Sequence, residues 1–145
     1  MTQLTAHFTL EELTRSNTGE RLGIDNTPSL EVVSNLTRLA MGLEQIRALL
    51  GVPMQIDSGY RCPALNKAVG GVPDSAHVVG FAADFIAPAY GTPLQIARAV
   101  AGSGITFDQV IQEGTWVHVS FDPRLRRQAL TAKFGPGGAT YSGGV

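Results

Sequence analysis

Residues 107–121 read FDQVIQEGTWVHVSF, two short apolar-rich runs on either side of Glu113-Gly114-Thr115. Runs of this length, rich in Val, Ile and aromatic residues and separated by a glycine-containing link, predict an antiparallel hairpin. Side chains alternate across a strand. Trp116, His118 and Ser120 therefore share one face while Val117, Val119 and Phe121 take the other. Two further extended runs, MQIDS at 54–58 and FAADFIA at 81–87, complete a small sheet.

Helices flank these runs. Thr9 with Glu12 three residues on predicts a short capped helix over 9–15. The strongest helical pattern lies over 27–50, with Thr27 as N-cap and Pro28 in the first turn. Leu36, Leu39, Leu43, Ile46 and Leu50 follow one another at steps of three, four, three and four, one stripe of a buried helix. Gly51 and Pro53 end it. A third helix starts at Thr92-Pro93 with Gln95 in capping position and ends in AGSG. The expected fold class is α+β, a small, largely antiparallel sheet with helices packed on one face. One domain over 1–134 is expected, and the glycine-rich stretch 135–145 is expected as a loosely ordered tail.

Composition excludes several functions. A chain of 145 residues has room for a single core. Its 11 basic and 12 acidic residues supply no positive field for a phosphate backbone, so nucleic acid is not expected as a partner. With 43% apolar and 16% charged residues it is expected to fold rather than stay disordered. Its one cysteine, Cys62, forms no internal disulfide and has no histidine placed to activate it, which favours a buried structural thiol over a nucleophile. The longest apolar stretch, VVGFAADFIAPA, is too short to span a bilayer and contains Asp84, so no membrane insertion is expected. The start, MTQLTAHFTLEEL, lacks a secretory signal pattern. Gly70 and Gly71 belong to no phosphate-binding motif, and His7 reads as a packing or surface histidine. Asp57, at a strand end, has no assigned role.

Three side chains stand out as metal ligands: His77 and Asp84 in SAHVVGFAAD, and His118 in WVHVSF. Two histidines and a carboxylate form the donor set of an open catalytic zinc site, with a fourth position left for water. The competing reading makes His77 a loop cap, Asp84 an acceptor of backbone hydrogen bonds and His118 a satisfied sheet histidine. Asp84 counts against it. A carboxylate between Phe81, Ala82, Ala83, Phe85 and Ile86 is costly to bury without a cation.

The run SGYRCPALNKAVGGVPDSAHVVGFAADF, followed by WVHVSF, resembles the zinc D-alanyl-D-alanine carboxypeptidase and endopeptidase family that cuts peptidoglycan stem peptides. That family includes bacteriophage endolysins and vancomycin-resistance dipeptidases. The resemblance spans roughly residues 7–121 and rests on Ser75, His77, Gly80, Ala82, Asp84, Trp116, His118 and Ser120. It implies one zinc ion on His77, Asp84 and His118, polarising the scissile carbonyl and lowering the pKa of its bound water to about 7.

The resemblance also implies a carboxylate base shortly before the last histidine, and Glu113 is the candidate. In several relatives the acid stands three residues before that histidine, where this chain has Thr115. Arg61 in SGYRCP matches the family arginine that binds substrate and stabilises charge developing on the cleaved carbonyl. Ser75 is implied to hydrogen-bond substrate, with loop capping as its alternative. Trp116 and Tyr60 either wall the pocket or fill the core. The expected activity is zinc-dependent hydrolysis of stem-peptide bonds by a monomer, made in the cytoplasm and acting at the cell wall, with phage or prophage origin favoured. The alternative is a catalytically weak or inactive zinc-stabilised binding module, as the hedgehog signalling domain is on a related scaffold, or a virion component.

Overall fold

The computed structural model describes residues 1–145. In chain order it contains helices α1 (Leu10–Thr14), α2 (Asn17–Leu22) and α3 (Leu30–Leu50), strand β1 (Gln55–Ser58) and helix α4 (Pro63–Ala68). A short 3-10 helix over Ala76–Val79, strand β2 (Ala82–Ile86) and helix α5 (Pro93–Ala101) follow. Strands β3 (Gln109–Gln112), β4 (Val117–Ser120), β5 (Gln128–Gly135) and β6 (Gly138–Gly143) complete the chain. The six strands form one sheet in the order β1-β2-β4-β3-β5-β6. Every neighbouring pair is antiparallel except β3 and β5. This is the expected α+β class, with the β3–β4 hairpin in place.

One face of the sheet is the core face. Ile56, Ala83, Phe85, Val110, Val117 and Val119 project from it against Leu36, Leu39, Leu43 and Ile46 of α3 and Ile96 and Val100 of α5, all in one buried cluster. Burying each Leu or Ile side chain stabilises the fold by roughly 1.5–3 kcal/mol, so this stripe holds the helices to the sheet. The opposite face is left for chemistry.

Several local expectations hold. Thr9 caps α1, its hydroxyl accepting from the Glu12 N–H. Thr92 and Gln95 form a reciprocal capping box on α5, and Gly51 ends α3 in the left-handed conformation, φ 70°.

Two do not hold. The N-cap of α3 is Ser29, not Thr27. Asp25 accepts both the backbone N–H and the hydroxyl of Thr27, at 3.0 and 2.6 Å, so that hydroxyl is engaged before the helix begins. The expected loose tail from residue 135 is instead the second arm of a hairpin, pairing along β5 from Gly135↔Gly138 to Leu130↔Gly143. Backbone hydrogen bonds hold it there, and those need no apolar periodicity.

The connection from β4 to β5 crosses β3 and is pinned by two arginines. Buried Asp108 accepts two bonds from the Arg126 guanidinium, both at 2.8 Å, and one from the Arg126 N–H. Arg127 donates to the carbonyls of Ser103 and Ile105 and lies over the Phe107 ring, 4.9 Å from its centroid. Cys62 is half-buried at the N-cap of α4 rather than fully buried, and packs against the edge of the core. His7 is an exposed surface histidine paired with Glu44 at 2.7 Å. No helix is long and apolar enough to cross a membrane.

Candidate metal centre

Asp84 in β2 and His118 in β4 stand directly opposite each other in the sheet register. Both point away from the core, because their neighbours Ala83, Phe85, Val117 and Val119 are the buried positions. His77 comes from the 3-10 helix just before β2. Gly80 ends that helix at φ 84°, a left-handed conformation that turns the chain into the strand. The Gly80 backbone also lies close to Val32 of α3, where a Cβ would meet Val32 atoms at 3.1–3.2 Å.

The three ligand atoms converge. His77 Nε2 lies 3.2 Å from Asp84 Oδ1 and 3.3 Å from His118 Nδ1, and His118 Nδ1 lies 3.1 Å from Asp84 Oδ1. Three donors at zinc–ligand distances near 2.0–2.1 Å in a tetrahedron stand about 3.3 Å apart, so this triangle has the dimensions of one tetrahedral face. Protons alone do not satisfy it. His77 Nδ1 donates to the Gly59 carbonyl at 2.7 Å, so the neutral ring presents a lone pair on Nε2 towards a carboxylate oxygen. Burial pushes His77 towards that neutral form, against the pull of Asp84. Burial works to raise Asp84, and it takes positive charge and donated protons on the two imidazoles, or a cation in their place, to hold the carboxyl well below its ordinary range. A neutral imidazole and an ionised carboxylate are the states a metal needs. The donor set fits one zinc ion.

Gly59 is part of this support, and the sequence reading did not include it. Its carbonyl orients His77, and a Cβ at residue 59 would lie 2.3 Å from the Leu13 carbonyl oxygen. The Gly59→Ala variant is therefore expected to lose roughly 1–3 kcal/mol of stability through overpacking, measured by urea unfolding. Its zinc affinity is expected to fall about ten- to a hundredfold as the His77 partner shifts.

Around the triad stand the other candidates. Glu113 follows β3 on the same face as Ile111 and His118, and its Oε2 accepts from Trp116 Nε1 at 2.7 Å. Burial and then the Asp84 charge raise the Glu113 carboxyl above its ordinary range, opposed by His118, the Trp116 hydrogen bond and Arg61. Thr115 is exposed in the turn. Arg61 is half-buried; burial lowers its pKa while the charges of Asp84 and Glu113 work to raise it.

Two asparagines hold the arginine's position, and neither appeared in the sequence reading. Buried Asn66 accepts from Arg61 Nε at 3.2 Å and donates to the Val72 carbonyl at 2.8 Å. Asn26 clamps the segment around Arg61, donating to the Tyr60 carbonyl and accepting from the Cys62 N–H. Nothing in spacing marks them, because Asn26 reaches Tyr60 and Cys62 across more than thirty residues and Asn66 bonds the loops on either side of its own short helix.

The remaining candidates divide. The Ser75 hydroxyl caps the 3-10 helix, accepting from the His77 N–H at 3.2 Å. Tyr60 is buried in the core cluster, the second of its two expected places. Trp116 lines the site through Glu113 and stacks obliquely on Phe134 of β5, ring centroids 5.7 Å apart. Asp57 is exposed and accepts from Gln55, at the irregularity of β1 next to Ser58, which pairs with Asp84.

No curated protein matches the chain. A family model described as Peptidase M15 matches residues 6–120, a span that contains all three converging ligands and both Arg61 and Glu113. Given that match over most of its length and a His-Asp-His cluster of zinc dimensions within it, the chain belongs to the M15 family of zinc-dependent peptidases.

Proposed function

We propose that the protein hydrolyses peptide bonds in peptidoglycan stem peptides next to a D-amino acid, as a D,D-carboxypeptidase or endopeptidase. His77, Asp84 and His118 would hold one zinc ion, which when bound supplies Lewis acidity to a carbonyl and acidifies water. The observation that carries the reading is the grouping of a half-buried carboxylate, Glu113, and a half-buried guanidinium, Arg61, around the triad.

Each has a task suited to its surroundings. Glu113, with its carboxyl raised by burial, takes a proton from the attacking water at Oε1 or Oε2 and passes it to the leaving amine. Trp116 Nε1 fixes the carboxylate's orientation. Arg61, held at Nε by Asn66, keeps its other N–H groups for the substrate, where a fixed guanidinium stabilises negative charge growing on the carbonyl oxygen. A polar recess of about 440 Å³ lined by Arg15, Gln55, Asp57, Ser58 and Arg61 opens beside that guanidinium, on the side away from Glu113 and without the metal ligands in its lining.

The test is mass spectrometry of purified peptidoglycan fragments with intact pentapeptide stems, incubated with the zinc-loaded protein. Loss of a terminal D-Ala identifies a carboxypeptidase, and an internal stem or cross-bridge cut identifies an endopeptidase. An unchanged spectrum with zinc occupancy confirmed in the same sample refutes the proposal and favours a wall-binding module.

A further inference from the structure

The β5–β6 hairpin lies beyond the segment matched by the family model, yet it carries aromatic side chains to the face of the sheet that holds the metal ligands. Register establishes this. Ile111 stands opposite His118 on one side and Leu130 on the other, so all three project to one face. Alternation along β5 then places Ala132 and Phe134 on that face, and Tyr141 stands opposite Ala132.

One contact and one charge effect tie this geometry to the site. Phe134 stacks on Trp116, the residue whose Nε1 holds Glu113. The Tyr141 phenol is raised by partial burial and then by the charges of Glu113 and Asp84, so its hydroxyl lies within their field and keeps its proton. Both aromatics are nonetheless largely open to water, Phe134 59% and Tyr141 57% exposed. They extend the triad's surroundings without filling the core.

From this arrangement we propose that the β5–β6 hairpin is a wall of the substrate cleft, with Tyr141 hydrogen-bonding the backbone of a bound stem peptide through its hydroxyl. Phe134 and Trp116 form the apolar shelf on which that peptide lies. The assignment rests on the peptidoglycan reading above. A peptide of small D-residues offers mostly backbone amides and methyl groups, and an aromatic shelf with one phenolic donor and acceptor matches both. The hairpin is anchored firmly enough for the task by the Asp108–Arg126 pair and the Arg127 contacts at its base.

Kinetics of zinc-loaded wild type, Tyr141→Phe and Phe134→Ala on muropeptides with pentapeptide stems test the proposal, with Tyr90→Phe, an exposed tyrosine before α5, as control. Each variant's zinc content and circular dichroism are measured in parallel. Calorimetric binding of the same peptides in a zinc-loaded Glu113→Gln background gives a readout independent of turnover. The expected result is a KM about tenfold higher for Tyr141→Phe with kcat within about twofold, a matching loss in the binding constant, and no change in the control. Wild-type kinetics in both Tyr141→Phe and Phe134→Ala, while wild type cuts the peptides, would overturn the hairpin's role and leave the proposed function standing. Failure of wild type both to bind and to cut wall peptides would overturn the substrate assignment itself, and the hairpin's with it.

Discussion

Replacing His77 with alanine is expected to abolish stoichiometric zinc binding and peptide cleavage together. His77 is 2% exposed and supplies one corner of a triangle of donors 3.1–3.3 Å apart. Its loss leaves two ligands where a catalytic zinc site uses three. Zinc affinity should fall by more than about a hundredfold, since disturbing only the outer partner of a metal-bound histidine already costs ten- to a hundredfold. Activity should fall by about 10³ or more, the equivalent of several kcal/mol of transition-state stabilisation.

Thermal unfolding separates this from a folding defect. Zinc at a thousand times its dissociation constant stabilises the wild type by about 4 kcal/mol, and that increment should vanish in His77→Ala. His118→Ala, on the open side of the sheet, should lose the same increment with less harm to packing. Unchanged zinc content in both variants would place the metal elsewhere.

The second large effect is expected from Glu113→Gln. The amide keeps the shape and the contact with Trp116 Nε1 but cannot take a proton, so zinc content should be unchanged while kcat falls by about 10²–10⁴. The pH profile gives the sign. A carboxyl raised by burial holds its proton to a higher pH, and only the ionised form acts as a base. The wild-type rate should therefore rise with pH through a value above the ordinary glutamate range, and Glu113→Gln should lose that limb. A zinc ion on the triad more than cancels the charge of Asp84 and itself works to lower the Glu113 carboxyl, so burial alone is left to hold that carboxyl up against the metal. Retained turnover in Glu113→Gln would assign the base to another group.

Hairpin geometry favours Glu113 over Thr115 for the proposed base. Residues 111, 113 and 118 share a face, and the link Glu113-Gly114-Thr115 puts the carboxylate at its near end and leaves Thr115 exposed at the tip. A count of residues back from His118 does not reveal this, because the chain reverses direction between the two.

Much of the molecule was legible from the chain alone, because it rests on local rules. The stripe Leu36, Leu39, Leu43, Ile46 and Leu50 made α3 a core helix, and strict alternation in WVHVSF turned His118 out of that core. The three ligand candidates followed from donor chemistry and from the cost of burying Asp84 without a cation, and all three converge. What only the tertiary structure decided is long-range and carried by the backbone. The Gly59 carbonyl that orients His77 lies 18 residues away. Asn26, in the loop before α3, reaches the Arg61 segment across 36 residues of chain. The β5–β6 hairpin reaches the site because β5 adds in parallel beside β3. Strand pairing is made by N–H and C=O groups that every residue except proline carries in full, so a glycine-rich stretch such as GATYSG reads as loose until the edge it joins is in view.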